Sequence, residues 1–420
     1  LQSCIDYAKE QNITIRKNRI TAASTQIDVK TAKAALFPSL SFSTSQQVVN
    51  RPYQETSSRV SGSEIISSNS KTSYNGNYGL NASWTLYNGN KRLKTIQQEK
   101  LNNQVAELDV ATSENNTQES IAQVYIQILY AAESVKVNES TLQVSIAQRD
   151  RGQELLNAGS IAKSDFAQLE AQVSTDRYQL VTAQATLEDY KLQLKQLLEL
   201  DGENEMNIYL PALSDENVLA PLPTKKDVYI SALSLRPEIE ASKLNVEASE
   251  LGIGIAKSSY LPTISLSAGI GTNHTSGSDF TFGEQVKNGW NNSIGLSVSV
   301  PIFNNRQTKS AVQKAKLQYE TSMLSLLDEQ KTLYKTIEGL WLDANSAQQR
   351  YAAANEKLKS TQISYELISE QFNLGMKNTI ELLTEKNNLL QAQQEQLQAK
   401  YMAILNTQLL KFYQGDQLAL

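Results

Sequence analysis

The chain has 420 residues and a net charge of −5, with 39 Lys and Arg against 44 Asp and Glu, so it lacks the basic balance of a nucleic-acid-binding protein. One Cys and one His exclude an intrachain disulfide and any metal site built from several cysteines or histidines. P-loop and serine-hydrolase motifs are also missing, and we therefore predict no catalytic site, no cofactor and no bound metal.

The first stretch, LQSCIDYAKEQN, predicts the start of a helical region, and we expect helices over about 2–37. The chain starts at Leu1 without methionine, which indicates a mature or trimmed form. LQSC resembles a lipoprotein cleavage box around Cys4, but Cys4 also shares one helical face with Ile5 and Ala8, and the helical interpretation is favoured. No run of 18 apolar residues occurs, so no transmembrane helix is expected.

The rest of the first half predicts two strands and two very long helices. Residues 53–210 and 302–420 contain no proline, which permits helices far longer than usual. The longest has about 66 residues and would extend on the order of 100 Å. The first predicted repeat, 1–225, contains after its first helix strands at about 38–49 and 74–88, a long helix at about 90–156, a return helix at about 162–201 and a linker at 202–225.

The second half repeats this order. LYNGNKRLKTIQQEKL recurs 216 positions later as IFNNRQTKSAVQKAKL, and AALFPSLSFSTS recurs 224 positions later as SSYLPTISLSAG. The second predicted repeat, 226–420, contains a helix at about 226–260, strands at about 262–273 and 290–303, a long helix at about 305–372 and a return helix at about 378–413.

All four predicted strands alternate apolar residues with Ser, Thr, Asn and Gly, almost without charge. Each is long enough to cross a bilayer when tilted. A half-buried sheet of a soluble domain has the same alternation, but an uncharged polar face favours a wide aqueous lumen. Four strands cannot close a barrel, whereas three copies would supply twelve. We expect 46–73 and 274–290, rich in Ser, Asn, Gly and Thr, to be loops.

Taken in order, these segments resemble the outer-membrane efflux protein family, the TolC-like channels, over nearly the whole chain. The resemblance rests on the duplicated order of elements, the Phe-Pro and Leu-Pro junctions before strands, and the NAG and NLG breaks between long helices. It implies an α+β membrane protein: a homotrimer with a twelve-stranded β-barrel, four strands per chain, continuous with a long α-helical barrel. It also implies the outer membrane of a Gram-negative bacterium as the location, with the helices extending into the periplasm.

The implied function is that of a passive exit duct for tripartite efflux or type I secretion. Its partners would be membrane lipid around the barrel, a periplasmic adaptor protein, and an inner-membrane pump or secretion ATPase. The resemblance implies that partner contact opens the duct at the periplasmic helix tips. These tips correspond to Gly159 and Gly375, with Ser160 and Met376 beside them as adaptor-docking positions.

The resemblance implies an entrance gate close to these turns. Asp165 and Glu381 follow the glycines by six positions, where the family often has an acidic residue, and Lys377 occupies the place of a basic residue that tethers the closed gate. A further acidic pair is replaced by Gln168 and Thr384, so a second carboxylate ring is not expected at those positions.

Both gate carboxylates also suit the first turn of a helix. Asn378 and Glu381 fit a capping box, worth about 1 kcal/mol to a helix start. Asp165 is favourable near a helix N-terminus for electrostatic reasons. The sequence leaves open whether these residues are caps alone or caps that also form an entrance ring.

Barrel junctions are predicted where a helix meets a strand. Three of them carry proline, and glycine replaces proline in LYNGNKRL; the predicted junction residues are Pro38, Gly89, Pro262 and Pro301.

Two alternatives stand beside the exit duct. A soluble coiled-coil scaffolding protein would explain the helices but not four alternating strands of bilayer length. A duct specialised for metal export is disfavoured by a composition of only four Met and one His.

Overall fold

The structure is a computed structural model that describes residues 1–53, 57–61, 64–68, 71–201, 208–209, 211 and 218–418. Its helices are α1 (Gln2–Gln11), α2 (Ile13–Ala34), α3 (Lys91–Asn157), α4 (Lys163–Leu197), α5 (Lys225–Leu235), α6 (Pro237–Ser258), α7 (Phe282–Asn288), α8 (Gln307–Asn373) and α9 (Thr379–Gln414). Its strands are β1 (Ser39–Asn50), β2 (Ser57–Ser61), β3 (Glu64–Ser68), β4 (Thr72–Asn88), β5 (Thr263–Thr275) and β6 (Asn291–Ser299). Most of the predicted linker 202–225 lies outside the described residues.

The helices expected over about 2–37 are α1 and α2, and Asn12 separates them. Asn12 has an extended backbone (φ −58°, ψ 127°), and its Oδ1 accepts hydrogen bonds from the backbone N–H groups of Thr14 (2.9 Å) and Ile15 (3.3 Å). Its Nδ2 donates to the carbonyl of Leu197, the last residue of α4. Asn12 therefore caps the start of α2 and also satisfies a free carbonyl at the end of another helix.

The helix expected over about 226–260 is also two helices, and here proline is the cause. Pro237 is the first residue of α6, and the preceding Arg236 has an extended backbone (φ −75°, ψ 123°). Proline disfavours a helical conformation in the residue before it but is well suited to the first helical position.

The two segments expected to be loops contain regular structure. β1 continues to Asn50, β2 and β3 pair as an antiparallel hairpin, and α7 lies within 274–290. Thr281 and Glu284 form a reciprocal capping box at the start of α7. β6 ends at Ser299 rather than near 303, because its pairing with β5 ends there: Ser299 lies opposite Thr263, the first residue of β5.

Element bounds recur at the two spacings of the sequence repeat. α2 and α6 have 22 residues each and start 224 positions apart. α3 and α8 have 67 residues each and start 216 positions apart. The order helix, strand, strand, long helix, return helix therefore occurs twice.

The chain divides into two compact units that do not coincide with the halves of the sequence. The helical unit comprises Leu1–Ala22, Val105–Ser242 and Ser325–Leu420, and the sheet unit comprises Ala23–Gln104 and Lys243–Leu324. Each unit draws on both predicted repeats, because the long helices pass from one unit into the other.

Buried aliphatic residues hold the helical unit together in two main clusters. The larger joins α1, α3, α4 and α9 through residues such as Ile5, Ile121, Leu194 and Leu409. The half-buried Cys4 packs against this cluster, and burial raises the pKa of its thiol. A second cluster joins α5, α6, α8 and α9.

The sheet unit contains a four-stranded antiparallel sheet in the order β1-β4-β5-β6. The register aligns apolar residues with apolar residues across all four strands: Leu40 lies opposite Ala82, Ala82 opposite Ala268, and Ala268 opposite Ile294. The neighbouring row is polar and consists of Ser41, Asn81, Gly269 and Ser293. One face is therefore apolar and the other is uncharged and polar.

The apolar face is exposed. The exposed fraction is 70% for Leu40 and 67% for Phe42 in β1, and 78% for Ile294 in β6. On the opposite face serine and asparagine side chains bond across strands: the Ser39 and Ser83 hydroxyls lie 2.9 Å apart, and Asn81 donates to Ser43 at 3.3 Å. No Asp, Glu, Lys or Arg occurs in β1, β4, β5 or β6.

Candidate functional site

The turns between the long helices are two copies of one motif. Gly159 follows α3 and Gly375 follows α8, with φ of +72° and +73°. After α3, the Ser160 N–H bonds the Leu155 carbonyl at 2.8 Å, and the Gly159 N–H bonds the Leu156 carbonyl at 2.9 Å. This is a complete Schellman motif, and its left-handed residue favours glycine.

The same bonds recur after α8. The Met376 N–H bonds the Gln371 carbonyl at 2.8 Å, and the Gly375 N–H bonds the Phe372 carbonyl at 2.9 Å. Met376 is 70% exposed and its neighbour Leu374 is 75% exposed, so the second turn presents apolar side chains to its surroundings.

The gate candidate Glu381 lies in the first turn of α9 and takes part in a full capping box. Its N–H donates to Asn378 Oδ1 at 2.9 Å, and its Oε2 accepts from the Asn378 N–H at 3.2 Å. Lys377 Nζ lies 2.6 Å from Glu381 Oε1. The hydrogen bond from Lys377 and the Asn378 N–H lower the pKa of the Glu381 carboxyl.

Asp165, at the matching position of α4, makes only half of such a box. Its Oδ2 accepts a hydrogen bond from the Ala162 N–H at 3.3 Å, but the methyl side chain of Ala162 has no oxygen to return the bond. Among the described residues no hydrogen bond or ion pair joins Asp165 to Glu381. The structure thus brings Lys377 and Glu381 together, and both carboxylates act as caps.

A buried ionic cluster lies further along the same helices. Lys386 of α9, Asp176 of α4 and Ser145 of α3 are 3%, 1% and 2% exposed. Lys386 Nζ donates to Asp176 Oδ2 and to Ser145 Oγ, and the Ser145 hydroxyl donates to Asp176 Oδ2. Gln172 Nε2 donates to the other carboxylate oxygen at 2.9 Å. We call Ser145, Asp176 and Lys386 the buried triad.

Burial lowers the pKa of Lys386, and the hydrogen bond and charge of Asp176 oppose that change. Asp176 is therefore an acidic residue of a long helix that is buried rather than solvated. The sequence contains a signal that each charged residue is buried: Asp176 follows Leu169 and Val173, and Lys386 follows Leu382, at helical spacing on a buried stripe.

A second buried ionic cluster surrounds the break between α5 and α6. Arg236 bonds Glu238 at 2.7 Å and Glu119 of α3 at 3.2 Å, and its guanidinium lies 4.3 Å from the ring centre of Tyr413. Burial raises the pKa of Glu119, and Arg236 acts against that rise. The cluster fixes the start of α6 against α3 and α9.

The junctions between helices and strands contain the predicted prolines but also an unexpected bend. Pro38 and Pro262 directly precede β1 and β5, and Pro301 lies two residues beyond β6. The bends at the starts of the long helices are pairs of left-handed residues 216 positions apart: Gly89 (φ +67°) with Asn90 (+62°), and Asn305 (+51°) with Arg306 (+66°). The counterpart of Gly89 is therefore Asn305 rather than Pro301.

Gly89 also makes a close contact, since a Cβ at this position would lie 2.8 Å from the Ser258 carbonyl oxygen. Arg92, just beyond the bend, donates to the carbonyls of Ala35 (2.7 Å) and Thr85. Backbone conformation, packing and hydrogen bonding therefore all fix this junction.

Within the described part of the chain, no helix combines the length and apolarity needed to span a membrane. The same residues contain no group of three or more His, Cys, Asp and Glu side chains arranged to hold a metal ion.

The family model for outer membrane efflux proteins matches residues 4–199 and 228–415. The chain belongs to the outer membrane efflux protein family. BepC, an outer membrane efflux protein of Brucella suis biovar 1, is 24% identical over 299 residues, which are 71% of this chain and 62% of BepC. Outer membrane protein TolC of Escherichia coli K12 is 24% identical over 294 residues, 68% of this chain and 58% of TolC.

The chain thus aligns with less than two thirds of the length of either efflux protein. The crystal structure of outer membrane protein VceC from Vibrio cholerae matches 100% of this chain and 96% of VceC, with a TM-score of 0.81 at 16% identity. This likeness shows that the chain shares the fold of VceC, long helices with a β domain.

Proposed function

We propose that this chain is the outer-membrane exit duct of a tripartite efflux or type I secretion system, a passive conduit rather than an enzyme. The observation that carries the proposal is the four-stranded sheet with its exposed apolar face and its uncharged polar face. An apolar surface of this kind is costly in water, whereas lipid accepts it. Ser, Asn and Gly on the other face suit a water-filled lumen.

The edges of the sheet support a homotrimer. Among the strands that the structure describes, β1 and β6 each have a partner on one side only. In lipid, the free N–H and C=O groups of such edges would have no hydrogen-bonding partner. Three copies joined edge to edge close a barrel of twelve strands, which is an even number in the range of outer-membrane barrels. A soluble coiled-coil scaffold would require neither an uncharged sheet nor an apolar outer face.

Membership of the outer membrane efflux protein family supports the location and partners in this proposal. The duct lies in the outer membrane of a Gram-negative bacterium, with lipid around the barrel and the long helices extending into the periplasm. The turns at Gly159, Ser160, Gly375 and Met376 dock on a periplasmic adaptor protein. An inner-membrane pump or secretion ATPase supplies the energy.

Asp165, Glu381 and Lys377 form the periplasmic entrance in this proposal. A trimer would present two carboxylates per chain, six in total, around one opening. Their capping bonds leave room for this role, because Glu381 remains about 39% exposed in its side chain. The entrance opens when partner contact moves the helix tips.

Planar-bilayer recordings and fractionation test this proposal. We expect a heat-resistant trimer that is extracted from outer membrane only with detergent and conducts with a preference for cations. Asp165→Ala/Glu381→Ala should lose part of that preference, while Glu139→Ala, which removes an exposed carboxylate from α3, should not. Recovery as a soluble monomer would contradict the exit duct. Unchanged ion selectivity in the double variant would reduce the two carboxylates to helix caps.

A further inference from the structure

The helix ends next to the four-stranded sheet are basic. β1 and β5 begin, and β4 and β6 end, at the same end of the sheet, so α2, α3, α6 and α8 all meet the sheet there. We compared the ten residues on the helical side of each strand end, which are 29–38, 89–98, 253–262 and 300–309. Together they contain eight Lys and Arg and no Asp or Glu, although the chain as a whole has a net charge of −5.

Most of these basic side chains are exposed and have no ionic partner. Arg92 and Lys94 are half-buried and donate to backbone carbonyl groups. The other six are exposed, belong to the sheet unit, and form no ion pair within the described residues. We call these six the basic collar: Lys30, Lys33, Lys91, Lys257, Arg306 and Lys309. Like charges gathered at one end of a sheet repel one another, and bound anions would offset that repulsion.

Helix electrostatics does not explain the collar. The N-terminus of a helix carries partial positive charge and favours Asp or Glu. The first turns of α4, α6 and α9 contain an acidic residue, whereas those of α3 and α8 contain none. Lys91 and Lys309 lie at the starts of α3 and α8, where a positive charge is unfavourable. A contribution to helix stability therefore does not account for these two residues.

Exposed apolar side chains lie between the collar and the sheet. Phe37 is 73% exposed and Phe303 is 84% exposed. Lys33 lies about one helical turn before Phe37, and Lys257 lies one turn before the exposed Tyr260. The basic groups are thus about 5 Å further from the sheet than the apolar ones. This order, apolar and then basic, is typical of the boundary between acyl chains and lipid headgroups.

We infer that the basic collar binds the anionic headgroups of phospholipids in the membrane leaflet that faces the periplasm. The inference rests on the proposed function, because it takes the sheet to lie in the outer membrane with the long helices on the periplasmic side. The collar binds headgroup phosphates, while the apolar side chains beside it contact acyl chains. One Lys or Arg near an anionic membrane surface strengthens the attraction roughly fivefold.

Tryptophan quenching measures which lipid lies next to the collar. Trp84 lies opposite Leu266 in an apolar row of the sheet, and its Nε1 donates to the Leu36 carbonyl at 2.7 Å, beside the end of α2. Trp290→Phe/Trp341→Phe leaves Trp84 as the single tryptophan. The full chain is reconstituted in phosphatidylcholine vesicles that contain either brominated phosphatidylglycerol or brominated phosphatidylcholine. We expect phosphatidylglycerol to bind next to Trp84 about fivefold more tightly.

Removal of collar charges should weaken this preference. The collar variant is Lys33→Gln/Lys257→Gln/Lys309→Gln, which removes one charge each from α2, α6 and α8 and should lower the affinity ratio to below two. The matched control is Lys17→Gln/Lys331→Gln/Lys335→Gln, which removes three exposed lysines of the helical unit and should keep the fivefold ratio. Glutamate in place of glutamine at the three collar positions should bring the ratio below one, because it then repels anionic lipid.

Salt provides a test that needs no collar variant. At 1 M NaCl the Debye length is about 3 Å, so the preference for phosphatidylglycerol should disappear. Equal affinity for both lipids at low salt, or a ratio that salt does not change, would overturn the role of the collar and leave the exit duct standing.

Two further outcomes separate this inference from the proposed function. If the collar variant changes the ion selectivity of the channel but not the lipid preference, the collar lines the aqueous lumen and the inference is wrong. If neither brominated lipid quenches Trp84, the sheet does not lie in a membrane, and both the inference and the exit duct are contradicted.

Discussion

The turn glycines provide a test in which one substitution should have opposite effects at different sites. Gly159 and Gly375 have φ of +72° and +73°, and no heavy atom lies within 4 Å of a Cβ added at either position. Alanine therefore meets no neighbour, and its only cost is the left-handed backbone, about 1 kcal/mol. Asparagine tolerates this conformation better, so Gly159→Asn should cost less than Gly159→Ala.

Gly339 is the matched control. It lies inside α8, and a Cβ added there also has no heavy atom within 4 Å. Alanine in a helix interior is more favourable than glycine by about 1 kcal/mol, so Gly339→Ala should stabilise the helix by an amount similar to the loss at the turns.

Hydrogen exchange measures these effects locally. The Ser160 and Met376 amides are protected by their bonds to the Leu155 and Gln371 carbonyls. A loss of about 1 kcal/mol corresponds to roughly fivefold faster exchange in Gly159→Ala and Gly375→Ala. Gly339→Ala should slow exchange around its own position. If alanine changes the exchange rate in the same direction at Gly159, Gly375 and Gly339, the positive φ of the two turn glycines does not determine the effect, and the prediction is wrong.

Three further perturbations test the caps and the junction. Ala162→Asn should complete the capping box of α4 and slow amide exchange in its first turn, with a gain of about 1 kcal/mol. Lys377→Met should raise the pKa of Glu381, which carbon NMR of labelled glutamate measures. Because the pKa of Glu381 is lowered in the folded wild type, the cap stabilises the folded state fully at pH values above the ordinary pKa of 4.5. This stabilisation is lost as the pH falls through the pKa of the folded state. Gly89→Ala should lower the thermal stability of the assembled protein by far more than Gly159→Ala, since its Cβ would also collide with the Ser258 carbonyl at 2.8 Å.

Features that the backbone imposes could be predicted from the sequence. The scarcity of proline and glycine indicated the two long helices, and the NAG and NLG breaks indicated their turns. Alternation of apolar and small polar residues indicated β1, β4, β5 and β6, because a residue's face in a strand depends only on whether its position is odd or even. Proline and glycine breaks and the alternation of apolar and polar residues can be read from the sequence without knowledge of the fold, because each depends only on residues that are close together in the chain.

Features that depend on a second, distant group were missed. Asn12 looks like any polar helical residue until the Leu197 carbonyl that it bonds is known. Asp176 and Lys386 are 210 positions apart, and no local pattern indicates that they meet. The left-handed bend at Asn305 and Arg306 was not predicted, because a left-handed asparagine leaves a weaker signal than a proline.

The two hairpins share their backbone geometry but differ in the side chains that stabilise their tips. Both turns have the same φ and the same pair of Schellman bonds, 216 positions apart. The return helix α9 begins with a complete capping box and the Lys377 ion pair, whereas α4 begins at Ala162 with half a box. A helix end with fewer hydrogen bonds unfolds locally at a lower free energy. The start of α4, next to the turn at Gly159, is therefore less stable than the start of α9, next to the turn at Gly375.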